Sequence, residues 1–236
     1  MKSKPEIIRK SCLKGAEAAQ GVVVVIDVFR AFTCVPLFFR FGAKRVILEA
    51  DPSRALAFKN ELPGSVLVGE VNEVPIEGGD LGNSPIEIIG KGEGFFQGKT
   101  VIHRTTAGVR GVAAVADRAQ LVILGGFIIA RAVARYIMNL EADMVTIVAM
   151  GTRGQEPSPE DEACADYLEH LIYGKPYDHL KWLERIVFHQ SAKKFIMGTK
   201  PYLPREDPIF CLQRDLLDFV IVAERKDGLI EAKLRT

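Results

Sequence analysis

No apolar run in this sequence is long enough to cross a bilayer. The longest, GVVVVIDVF at residues 21–29, falls well short of the ~20 residues a helical span needs, so no membrane partner is expected. Nor is there an excess of charge of one sign. Lys and Arg number 31 against 30 Asp and Glu, for a formal net charge of +1. The basic residues form no block, which removes the electrostatic case for binding nucleic acid or an anionic surface. Cysteine is sparse: Cys12, Cys34, Cys164 and Cys211 form no CxxC pair and sit at no metal-ligand spacing from a histidine. That argues against structural zinc and suits a reducing compartment. The opening MKSKPEIIRKS is charged and lacks the apolar core of a signal peptide, so a cytoplasmic location is expected. Also missing are a GxGxxG after the first apolar strand and any GxxxxGK[ST], which argues against dinucleotide-binding and P-loop chemistry.

What is present is the composition of a folded chain, with 48% apolar and 26% charged residues. Residues 21–28, GVVVVIDV, are β-branched without polar alternation, as in a strand buried on both faces. Further apolar runs, KRVILEA, SVLVGE, KTVIHR, AQLVILGG and DMVTIVAMG, alternate with stretches of helical length and pattern. This predicts an α/β protein with a mainly parallel sheet in a three-layer α/β/α arrangement. The last third is more irregular. Residues 178–200 read as polar helix, PYLPREDP as a connector, and DFVIVAERKDGLIEAKLR as a β-hairpin turning at Lys226-Asp227-Gly228. No repeat or low-complexity linker divides residues 1–236, so a single catalytic unit is expected, with no marked boundary should it have two α/β lobes.

Polar residues and glycines collect where the strands are expected to end, the edge at which open parallel sheets bind ligands. They include Asp27 and Arg30, Glu70, the Asp80 loop, Arg104-Thr105-Thr106, and Gly151 to Gly154. Asp27 closes a strongly apolar strand. It serves either as a helix cap or as a buried carboxylate that needs a partner, for which Arg30 or a metal is available. In GDLGNSPIE, Ser84, Pro85 and Glu87 match a capping box, which leaves Asp80 and its flanking glycines unexplained. SPEDEACA repeats the helix-start pattern, with Glu160 and Asp161 in the first turn, where acids also favour the helix dipole. HRTTAGVRG sets two hydroxyls before a helix start of the kind that binds anions. Of the four histidines only His103 falls near this edge.

The ordered motifs VVIDVFRAFT, GDLGNSPIE, TTAG and SPEDEACA, with EDPIFCLQRD later in the chain, resemble the 2-phosphosulfolactate phosphatase family, magnesium-dependent phosphatases of coenzyme M biosynthesis. The resemblance implies an enzyme that hydrolyses a small phosphomonoester, 2-phosphosulfolactate or a related phosphorylated acid, with Mg²⁺ as cofactor. At the positions that match its motifs we assign Asp27, Arg30 and Asp161 as catalytic residues, and Asp27, Glu70, Asp80 and Glu160 as metal ligands. Asn83, Ser84, Thr105, Thr106 and Gly108 are expected substrate contacts, together with Arg153, a cation able to hold an anionic group. A homodimer is one expectation for a phosphatase of this kind. The family's TTNGT reads TTAGV here, with Ala107 and Val109 in place of two hydrogen-bonding side chains, and an asparagine of its GGF region is replaced by Ile128 or Ile129. Such losses shift specificity and keep open a second reading, a catalytically silent binder of small anions on the same fold. A haloacid-dehalogenase-type phosphatase is disfavoured, because the acid it needs two residues after Asp27 is Phe29.

Overall fold

The unbroken Val22–Ile26 run has no polar alternation because neither of its faces meets water: all five residues are buried. In the computed structural model, which describes residues 4–235, this run is one strand of a ten-stranded sheet. In chain order the strands are β1 (Glu6–Ser11), β2 (Val22–Ile26), β3 (Arg45–Leu48), β4 (Val66–Val71), β5 (Val74–Pro75), β6 (Thr100–Arg104), β7 (Leu121–Gly125), β8 (Met144–Ala149), β9 (Val220–Lys226) and β10 (Leu229–Arg235). Their spatial order is β1-β8-β2-β7-β9-β10-β3-β6-β4-β5.

The α/β reading holds, with a mostly parallel sheet and a terminal hairpin. Two parallel blocks, β1-β8-β2-β7 and β3-β6-β4, flank that hairpin. β9 and β10 form the hairpin at the expected turn but lie in the middle of the sheet, antiparallel to β7 on one side and to β3 on the other. The three successive antiparallel pairings reverse the sense of one block relative to the other. In a flat sheet the carboxyl ends of β2 and β6 would therefore lie on opposite edges. They would also be five strand positions apart, about 24 Å at the usual spacing. Yet Gly108, just past β6, donates its backbone N–H to Asp27, just past β2, at 2.7 Å. The sheet must coil strongly for these ends to meet.

Helices follow the predicted runs closely. Pro52–Glu61 begins at an Asp51 cap, with Arg54 N–H donating to Asp51 Oδ1 at 2.9 Å. Pro85–Lys91 begins at a Ser84 cap, with Glu87 N–H donating to Ser84 Oγ at 3.2 Å, and Pro159–Tyr173 at the expected proline. Ala31–Arg40 carries Pro36 inside it. Two elements depart from expectation. β1 was not foreseen, because an edge strand of mixed exposure has no apolar run. The PYLPREDP stretch read as connector runs into the short helix Glu206–Cys211, which begins within it.

Candidate active site

Where the coiled sheet brings the two blocks together, the loops after β2, β4, β6 and β8 line one cleft. Asp27 and Arg30 come from the first loop, Glu70 from the end of β4, and Thr105, Thr106 and Ala107 from the third. Gly151 to Arg153 come from the fourth. Asn83 enters from the segment before its capped helix, and Glu160 and Asp161 from the first turn of Pro159–Tyr173. Acids predicted from distant stretches, Asp27, Glu70, Glu160 and Asp161, thus share one cavity.

All four are buried, and each is engaged by the chain around it. Asp27 accepts from Gly108 N–H at 2.7 Å through Oδ2 and from Ala31 N–H at 3.3 Å through Oδ1. Asp161 accepts from Val28 N–H and Gly151 N–H, each at 2.7 Å, joining the loops after β2 and β8. Glu70 accepts from Thr106 N–H at 2.6 Å, Thr106 Oγ1 at 2.8 Å and Glu73 N–H at 2.5 Å. Glu160 accepts from Ser191 Oγ at 2.6 Å.

Burial raises the Asp27 pKa to about 6 against the pull of its two N–H donors, with Glu70 and Glu160 adding repulsion. Burial likewise raises Asp161, with repulsion from Glu160 and Asp27 next, and raises Glu160. Buried like charges of this kind need protons or a cation. Among the described residues no three His, Cys, Asp or Glu side chains converge as a ready-made cage for an ion. Mg²⁺ does not require one, since it is held by one or two carboxylates with water and phosphate completing its shell. The donor set therefore fits such an ion, with Glu160, which accepts from a side-chain hydroxyl, and Asp27, whose Oδ1 has only the 3.3 Å Ala31 contact, the acids with an oxygen least engaged by backbone amides.

Three cations line the same cleft. Arg153 makes no ion pair among the described residues. Lys194 pairs with Glu73 at 2.9 Å. Arg30 does not pair with Asp27. Its Nη1 donates to Asp207 Oδ2 at 2.8 Å and to Tyr202 C=O at 3.2 Å, while its guanidinium lies 5.2 Å from the Phe195 ring centroid. Asp207 is fully buried and also accepts from Ser84 Oγ at 2.7 Å. No reading of the sequence assigned it a role. The only available signal was an acid in the EDPIFC motif.

Several expected site residues lie elsewhere or act otherwise. Asp80 is outside the cleft. Its Oδ2 accepts from Leu67 N–H at 2.7 Å and pairs with Lys59, so it fastens its glycine-rich loop to β4. Ser84 is fully buried between Asp207 and Glu87 N–H and does not line the cleft. The amides of Thr106 and Gly108, expected to receive an anion, are taken by the chain's own Glu70 and Asp27. Thr105 Oγ1 accepts from Val109 N–H at 3.1 Å. Of the motif departures, Val109, Ile128 and Ile129 are fully buried, and only Ala107 faces the cleft. Asn83 is in the cleft, bonded to His103.

Residues 8–226 match the family described as 2-phosphosulpholactate phosphatase. Over 214 residues the chain is 34% identical to a protein of Bacillus subtilis named probable 2-phosphosulfolactate phosphatase, covering 89% of this chain and 90% of that one. Proteins bearing the same name from Caldanaerobacter subterraneus subsp. tengcongensis and Clostridium perfringens (strain 13 / Type A) are 34% and 32% identical. These alignments cover 88% and 92% of this chain, and 89% and 91% of theirs.

Proposed function

The chain belongs to the 2-phosphosulfolactate phosphatase family, and from that premise we propose that it hydrolyses 2-phosphosulfolactate, or a closely related phosphorylated acid, to the free hydroxy acid and phosphate with the help of Mg²⁺. As a member it is a phosphomonoester hydrolase. The observation that carries the finer reading is the convergence of Asp27, Glu160 and Asp161 in one buried cleft, with an unpaired arginine, Arg153, at its rim.

Asp27 and Glu160 would hold the metal. When bound, it neutralises phosphate charge and acidifies water. Arg153 and Arg30 bind the anionic groups of the substrate, with Lys194 adding positive field on the same side. Asp161 and Glu70 hold the loops on which these groups stand, through the amides they accept. In hydrolysis water adds to phosphorus, the ester P–O bond breaks, and the alcohol leaves with a proton. Asp27 Oδ1, engaged only by the long Ala31 contact, is the oxygen left open to the metal and its water.

Purified protein incubated with a panel of phosphomonoesters including 2-phosphosulfolactate, with Mg²⁺ or with EDTA, tests this. Mg²⁺-dependent phosphate release is expected, falling by about a hundredfold or more in Asp27→Asn. Tight anion binding with no turnover on any substrate would instead favour the silent binder.

A further inference from the structure

His103 sits near the carboxyl end of β6, between β3 and β4, and is fully buried. Its ring packs edge-on against Phe38 with centroids 5.2 Å apart. One nitrogen, Nε2, lies 3.0 Å from Asn83 Oδ1. The other, Nδ1, is buried without any partner. This asymmetry determines where the proton resides. A buried imidazole N–H with no acceptor is a costlier orphan than an unprotonated ring nitrogen against apolar neighbours. The proton therefore belongs on Nε2, which donates to Asn83, so the Asn83 oxygen faces His103 and its Nδ2 faces away. Asn83 lines the cleft, and nothing among the described residues accepts from its Nδ2. Burial also keeps the ring neutral, lowering its pKa to about 3.

We infer that His103 is a positioning residue which holds the Asn83 carboxamide with its N–H₂ aimed into the cleft as a fixed donor to the bound anion. The inference rests on the proposed phosphomonoesterase reading. A carboxamide free to rotate would offer its oxygen to an anion as readily as its N–H₂. The buried histidine removes that choice before substrate arrives, which is preorganisation supplied from a rigid strand.

The test combines steady-state kinetics with ¹⁵N NMR of the imidazoles in the unsubstituted protein. The ring of His103 is expected as the Nε2–H tautomer, and an Nδ1–H tautomer would overturn the inference. His103→Leu is expected to raise KM for the phosphomonoester about tenfold, the effect of one lost hydrogen bond to an anion, with kcat changed less than about twofold. His103→Gln, whose amide N–H₂ can replace Nε2–H, recovers most of the loss. Asn83→Ala matches His103→Leu, and the double variant is no worse than Asn83→Ala alone. Additive losses, or an unchanged KM in a folded His103→Leu, would count against it. Should the parent protein turn over no phosphomonoester, the functional reading fails, while the tautomer still decides the placement of Asn83.

Discussion

Arg30 is the residue whose environment differs most from what its neighbours in sequence suggest. Three positions from Asp27, it reads as that acid's partner, yet its guanidinium is bound to Asp207, 177 residues away. The pair is almost completely buried, Arg30 at 4% exposure and Asp207 at none. No periodicity or spacing reports a contact of that range, so the motif residues were legible while the partner that orients one of them was not. Removing one member of a buried pair leaves the other uncompensated, at a cost of about 3–5 kcal/mol. Asp207→Ala is accordingly expected to lower unfolding free energy by about 3 kcal/mol, measurable by urea titration. Asp207→Asn, which keeps an acceptor for Ser84 and Arg30 but not the charge, is expected to recover part of that stability and to lose about tenfold in kcat/KM as the neutral oxygen holds Arg30 less firmly. Full activity in Asp207→Asn would show that Arg30 needs no anchor.

At the level of elements, the helix Gly108–Val115 carries the site's tightest constraint. The sequence showed a helix start after a double threonine, and the helix is there. What it could not show was the occupant of the amides, because the carboxylates that reach them come from β2 and β4. Gly108 lies so close to Asp27 that an added Cβ would stand 2.8 Å from Oδ2 and 3.0 Å from Ala31 Cβ. Both neighbours are fixed by the loop and helix that follow β2, so neither can yield cheaply. Gly108→Ala is expected to displace Asp27 and cut kcat by about a hundredfold while costing only about 1–3 kcal/mol of stability. A variant with unchanged kcat would mean that Asp27 does not need its present position. By contrast, the Ser84 cap was readable, since the Glu87 N–H it accepts from lies three residues on, whereas its bond to Asp207 was not. Local chemistry of this sort survives the step to structure. The hairpin was also readable from its turn, but its seat between two opposed blocks was not, and that seat makes the sheet coil and brings the acids together.

For the molecule as a whole, the acid cluster couples stability to pH and to metal. The Asp27 pKa rises from an ordinary 3.8 to about 6 on folding, so between those values the folded chain holds more protons than the unfolded one. Its contribution to stability therefore falls as pH rises through that window and is fully unfavourable above pH 6, by about 3 kcal/mol. Glu160 and Asp161 shift in the same direction, also through burial. His103 acts oppositely: with its pKa lowered to about 3, it costs stability as pH falls below 6.5. That contribution does not involve the metal, so it cancels when melting temperatures with and without Mg²⁺ are subtracted at each pH. What remains is competition between Mg²⁺ and protons for the same carboxylates. With Mg²⁺ in hundredfold excess over its Kd, the increment at pH 8 is expected to be about 5 °C or more. At pH 5.5 protons already occupy much of the cluster, and the increment should fall to less than about half of that. An increment that is absent, or equal at the two pH values, would mean that the buried acids of this cleft are not where the metal binds.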